Sequence, residues 1–346
     1  MESIDELSDT LRTTSGVVSI RGGGTKATWG GIGVDPDVSL DMTKLSGVVA
    51  HEPGDYVVTV LAGTPLAEVQ RVVGTAGQWL ALDPPEGDAT IGGVVATAAS
   101  GPRRLRYGTA RELLIGVTMV LADGTIARSG GKVVKNVAGY DLGKLLVGSY
   151  GTLGVIASCT FRLHPVPRDE RVVSLVTREP DDAVRTLRGS PLRPNAIEYD
   201  GERLSVVVER DAKRVVDLIG GDVTDPLPAA RPWRAGEAAL KVTHRVGALG
   251  AVLADVRNAV PDLRLAAHAA SGVLWLGGDV APAQVETLRA KVGAYDGTVV
   301  VVDGPRELKD AVDVWGPVRG LSVMRAIKEQ FDPHHRLNRG RFVDGI

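Results

Sequence analysis

The chain has 346 residues, 44% hydrophobic and 24% charged, with 40 basic and 42 acidic side chains and a formal net charge of −2. That is about two domains' worth of sequence, and the composition excludes a disordered tail, a coiled coil and a collagen-like chain. Balanced charge with only 4% aromatic residues leaves neither a basic footprint nor stacking platforms for nucleic acid. One cysteine, Cys159, closes no internal disulfide, and no Cys/His spacing suits zinc, so a reducing, cytoplasmic setting without a metal site is expected.

Residues 1–14 are acidic and amphipathic, lack the basic and apolar regions of a signal peptide, and predict a surface helix. Apolar runs reach about ten residues, short of the roughly 20 that span a bilayer, so membrane association would be made through partner subunits. Strands are predicted over 16–20 and 56–61. Leu66, Val69, Val72 and Val73 give 64–74 a helical spacing. A hairpin over 116–121 and 125–128 turns at Ala122-Asp123-Gly124. A strand over 154–163 meets His164-Pro165-Val166-Pro167, whose prolines favour an extended linker. A domain limit is therefore set at 167. Beyond it, strands over 172–177, 196–199, 204–209 and 298–303 alternate with helices near 181–187, 247–260 and 282–292. This predicts a small α+β domain over 168–322 with helices on one face. Residues 323–346 begin as a helix and end in a Pro/Gly-rich strap.

Of the 43 glycines, 26 precede Pro165, which places a backbone-lined site in the N-terminal half. The run Val17-Val18-Ser19-Ile20-Arg21-Gly22-Gly23-Gly24-Thr25-Lys26 carries a strand into three glycines. Formally it fits G-x-G-x-x-A, but Trp29-Gly30-Gly31-Ile32-Gly33 cannot be the long helix that the dinucleotide fold requires. A nest of backbone N–H groups around a pyrophosphate suits it better, with Gly23 expected at positive φ. A glycine-rich hairpin turn is the plain alternative. Further clusters are Asp83-Pro84-Pro85, the small-residue stretch from Ala89-Thr90-Ile91-Gly92-Gly93 to Ser100-Gly101, and Ser149-Tyr150-Gly151-Thr152-Leu153-Gly154-Val155-Ile156.

In this order the clusters resemble the FAD-binding domain of the vanillyl-alcohol oxidase and p-cresol methylhydroxylase superfamily, over residues 17–167. Gly131-Lys132-Val133-Val134-Lys135-Asn136-Val137-Ala138-Gly139-Tyr140-Asp141, Ser100-Gly101-Pro102-Arg103-Arg104, Arg111-Glu112, Phe331-Asp332-Pro333 and Asn338-Arg339-Gly340-Arg341 resemble the FAD-binding E-type subunit of glycolate oxidase. The resemblance implies an α+β fold: a PCMH-type FAD-binding domain of two α+β subdomains over 1–167, a smaller cap facing substrate or partner, and a C-terminal segment returning to the FAD domain. It also implies non-covalent FAD, because Thr25 and Lys26 follow the glycine loop and Cys159 lies in a later strand. The cofactor contacts carried over are Arg21, Gly22, Gly23, Gly24, Thr25, Pro84, Thr90, Ile91, Gly92, Gly93, Ser100, Gly101, Tyr107, Gly108, Gly151, Gly154, Val155, Ile156 and Asn338.

Flavin oxidation of a hydroxy acid needs a cation and a base, and Arg104, Lys135 and Tyr140 are the candidate catalytic residues, with loop ordering as their alternative role. Three departures from the family pattern stand out: Arg339 in place of proline, Glu112 in place of aspartate, and no H-G-D-G-N histidine motif. The resemblance implies a subunit accepting or relaying electrons from 2-hydroxy-acid oxidation beside a D-type FAD subunit and an iron–sulfur subunit. A stand-alone FAD-dependent dehydrogenase and a flavin-poor scaffold subunit are the alternatives.

Overall fold

Val18 and Ile20 point from one short strand into apolar surroundings, and that strand, Val18–Arg21, pairs in parallel with Val38–Asp41. In the computed structural model, which describes residues 2–131, 141–224 and 231–346, it belongs to the first of two compact units. This unit comprises Met1–Ser100, Gly108–Val166 and Val318–Ile346; the second comprises Gly101–Tyr107 and Pro167–Pro317.

A five-stranded antiparallel sheet builds the first unit, in the order Val48–Glu52, Val57–Leu61, Val155–Arg162, Leu114–Val120, Ile126–Gly130. Central position explains the near-continuous apolar run of Val155–Arg162, which is covered on both faces and buries Cys159 completely. The hairpin turns at Ala122-Asp123-Gly124, where the Asp123 carboxylate accepts from Thr125 N–H at 2.8 Å and Gly124 takes φ +86°. The helix Ile4–Thr13, N-capped by Ser3, is more than a surface element. Leu7 and Leu11, one turn apart, are fully buried with Val18, Leu40, Val155 and Leu337. The C-terminal segment of this unit carries the helix Leu321–Phe331.

The second unit holds a larger sheet than the sequence predicts. Eight antiparallel strands run in the order Asp222–Thr224, Glu170–Val176, Arg203–Glu209, Ala196–Tyr199, Arg264–His268, Val273–Gly278, Ala238–Thr243, Thr298–Asp303. Strand alternation sorts its faces. Ile197, Tyr199, Leu240, Val242, Ala267, Leu274 and Leu276 join Val184, Val215, Val252 and Leu288 of four helices in one core. Glu198, Lys241, His268 and Trp275, which alternate with those residues, therefore occupy the opposite face.

Candidate functional site

The glycine loop that follows Val18–Arg21 forms one wall of a cavity of about 260 Å³ in the first unit. The N–H groups of Gly23, Gly24 and Thr25 make no hydrogen bond to another described residue, leaving a row of donors suited to an anion. Close packing sets the loop's composition. A Cβ on Gly22 would stand 2.4 Å from Thr90 Oγ1, and Gly24 takes φ +78°. Gly23, expected at positive φ, is not there: the left-handed residue is its neighbour Gly24.

Lys26 closes the loop. Its side chain is buried, with Nζ 3.6 Å from Glu86 and 3.2 Å from Thr25 Oγ1. Burial lowers its pKa, and Glu86 opposes that shift by favouring the cation. Arg341 braces the same turn by donating to the carbonyls of Lys26 and Trp29 at 3.2 and 2.7 Å.

A second wall, adjoining the loop at Thr90, comes from Thr90, Gly92, Gly93, Ala96 and Thr97. The sequence marks this stretch only as small. Structurally it is a helix, Ile91–Thr97, whose N-cap Thr90 accepts from Gly93 N–H. Gly92 is required by close approach, since a Cβ there would lie 2.9 Å from Ala62 Cβ. Gly151, at φ +74°, forms the third wall with Gly154 and Ile156. Asn338 clamps the walls together: its Oδ1 accepts from Ile20 N–H at 2.8 Å, and its Nδ2 donates to the Tyr150 carbonyl at 2.7 Å.

Of the residues assigned to cofactor binding, Arg21, Gly22, Gly23, Gly24, Thr25, Thr90, Gly92, Gly93, Gly151, Gly154, Ile156 and Asn338 line this cavity. Pro84, Ile91, Ser100, Gly108 and Val155 lie outside its lining, and Gly101 and Tyr107 belong to the second unit. Met42, Ala62, Lys26, Tyr150 and Arg341 line it without having been singled out as contacts. Met42 and Ala62 carry no local signal, whereas Lys26 and Arg341 stand inside the motifs already noted. No His or Cys lines the cavity, and no cluster of metal-ligating residues occurs among the described residues. Arg339, in place of proline, still ties the strap, its carbonyl accepting from Val34 N–H at 2.9 Å.

The catalytic candidates separate. Lys135 and Tyr140 lie outside the described residues. Arg104 lies in the second unit, where its charge acts on both Glu198 and Lys241. Glu198 holds His268 Nδ1 with both carboxylate oxygens, at 2.9 and 2.8 Å, and burial raises the Glu198 pKa against the opposing effect of His268. Lys241 stands 5.8 Å from the Trp275 ring centroid, its pKa lowered to about 8 by burial and by Arg104.

Against known families, residues 1–130 match the FAD binding domain model. Those residues are similar to an FAD-binding domain. The free amide row, the crowded glycines and the absence of a covalent attachment point in the lining all fit FAD held through its pyrophosphate and ring. The chain is 35% identical over 193 residues to glycolate oxidase subunit GlcE of Escherichia coli, covering 53% of this chain and 55% of the relative. It is 32% identical over 252 residues to a D-lactate dehydrogenase of Archaeoglobus fulgidus, covering 70% and 54%. With glycolate oxidase subunit GlcD of Bacillus subtilis it shares 32% over 197 residues, 56% and 42%. It spans about half the length of these curated relatives. A solved alkyldihydroxyacetonephosphate synthase shares the fold at a TM-score of 0.71 and 17% identity, over 97% of this chain and 74% of that one. The fold class is therefore the α+β, PCMH-type arrangement that the resemblance implies. No described helix is long and apolar enough to cross a membrane.

Proposed function

We propose that this chain is a flavin-binding subunit of an oxidoreductase acting on small 2-hydroxy acids, working with a D-type FAD subunit and an iron–sulfur subunit. The observation that carries the reading is the cavity between the glycine loop and the Thr90 helix, in a chain related to glycolate oxidase subunits. FAD bound there supplies a two-electron acceptor for oxidation of an alcohol carbon. The chain's own part is to bind and orient it. The amides of Gly23, Gly24 and Thr25 would receive the pyrophosphate, with Lys26, paired to Glu86, holding Thr25 at the end of the row. Asn338 fixes the spacing between the walls. Attachment is non-covalent, since neither His nor Cys lines the cavity. The second unit, Gly101–Tyr107 with Pro167–Pro317, is assigned to substrate or partner, and the first unit to the flavin. Arg104, Lys135 and Tyr140 are the candidates for the cation and the proton-handling group that flavin chemistry on a hydroxy acid needs.

A chain that works alone is the second reading, favoured by the 70% of its length that aligns with a D-lactate dehydrogenase. Anaerobic addition of glycolate or D-lactate decides between them. Bleaching of the 450-nm band only when the chain is co-expressed with D-type and iron–sulfur subunits supports the complex, and bleaching of the isolated chain supports the lone enzyme. No bleaching in either preparation overturns both.

A further inference from the structure

The one buried residue of the helix Leu321–Phe331 is a lysine, Lys328. Full burial of a lysine requires partners, and Lys328 has two: Nζ donates to Asp332 Oδ2 at 2.7 Å and to the Thr152 carbonyl at 2.8 Å. Thr152 stands between Gly151 and Gly154 of the cavity's third wall and is itself fully buried.

Asp332 carries the tie onward. Its Oδ2 also accepts from Leu337 N–H at 2.8 Å, and Leu337 forms a parallel bridge with Val18, at the start of the strand that runs into the glycine loop. The neighbours of Leu337 continue this pairing. Val18 N–H donates to the Arg336 carbonyl at 2.8 Å, and Asn338 N–H donates to the Val18 carbonyl at 2.9 Å. One buried ion pair thus connects the third wall to the strand that delivers the row of amides, by a route separate from the Asn338 side chain.

Stability alone does not require charges here. Replacing both members of a buried ion pair by neutral groups of similar size often costs little, because desolvation cancels much of the attraction. Neutral groups do not supply the same direction. Charge-assisted hydrogen bonds are short and oriented, so the ammonium fixes where the Thr152 carbonyl stands, whereas methionine would fill the volume and leave the turn free to shift.

We propose that Lys328 is a positioning residue for the cofactor, acting through the Thr152 carbonyl to hold the 151–154 turn in place against the glycine loop, with Asp332 orienting the ammonium. This role rests on FAD occupying the cavity.

FAD affinity set against stability in the full chain tests it. Lys328→Met strands the Asp332 charge and should lower both. Lys328→Met/Asp332→Asn removes both charges and keeps an acceptor for Leu337 N–H, so denaturant titration should show most of the stability recovered. Its FAD binding, followed by flavin fluorescence, should stay weaker than wild type by about tenfold or more. Inorganic pyrophosphate, competing with FAD, engages the amide row alone, and its affinity should be unchanged in the double variant. With a wild type that binds FAD, three results overturn the positioning role and leave the flavin site standing: wild-type FAD affinity in the double variant, equal losses of pyrophosphate and FAD affinity, or a double variant that does not fold. A wild-type chain that binds no FAD overturns the flavin reading, and the positioning role with it.

Discussion

Asn338 donates its side-chain N–H to the carbonyl of Tyr150 at 2.7 Å, joining the C-terminal segment to the turn that closes the flavin cavity. The same amide accepts from Ile20 N–H, so one buried side chain holds two walls of the site, 318 and 188 residues away along the chain. Its φ of +42° is a conformation that Asn adopts more readily than most residues.

Asn338→Ala removes both bonds and orphans a buried carbonyl and an amide, at about 1–3 kcal/mol for each group. Thermal unfolding of the flavin-free protein should show the loss, and FAD affinity should fall with it. Asn338→Asp, which keeps the acceptor for Ile20, should be the milder variant. Equal stability of wild type and alanine variant would remove the clamp from the account.

Gly23 lies against the cavity without a positive φ, and a Cβ there would meet only Asp88 O at 3.3 Å and Thr90 Cγ2 at 3.5 Å. Gly23→Val should therefore fold while losing flavin, because its branched side chain crowds the row of free amides. Gly24→Ala differs: at φ +78° it should cost about 1–2 kcal/mol in the flavin-free protein as well. Absorption at 450 nm per chain, set beside melting curves, separates the two effects.

Lys328 and Asp332 form a fully buried ion pair at 2.7 Å, with Lys328 also donating to the Thr152 carbonyl at 2.8 Å beside the cavity turn. Lys328→Met leaves Asp332 buried without its cation, and denaturant titration should register a loss of about 3–5 kcal/mol. A loss below 1 kcal/mol would mean that water reaches the pair.

Lys241 carries a sign that can be checked. Its pKa falls from the ordinary 10.5 to about 8, so folding disfavours the charged form. The penalty is full below pH 8 and is relieved between pH 8 and 10.5, where the unfolded chain still holds the proton. Relative to Lys241→Met, the wild type should gain stability as pH rises through that window. Parallel pH profiles of melting temperature would contradict the assignment.

Local chemistry made much of the fold legible. Runs of β-branched residues mark Val57–Leu61 and Thr298–Asp303, Asp123-Gly124 marks the hairpin, and Pro282 marks a helix start. The glycine loop was readable because three adjacent glycines after a strand have few other uses. Long-range closure was not readable. The eight-stranded order depends on pairings such as Glu198 with His268, which no short window contains. Residues 101–107 belong to the second unit, although the chain returns to the first at Gly108 and the proline pair that marks the limit comes only at 165–167. The small-residue run after Thr90 reads equally as loop or helix, since Gly92 and Gly93 have low helix propensity and packing against Ala62 decides the matter.

The most direct test of the flavin site is the visible spectrum of the purified chain after incubation with FAD and gel filtration, followed by acid precipitation. The account predicts an equimolar flavin band that passes wholly into the supernatant and disappears in Gly23→Val. A colourless wild-type chain, a yellow pellet, or equal flavin in the variant would contradict it.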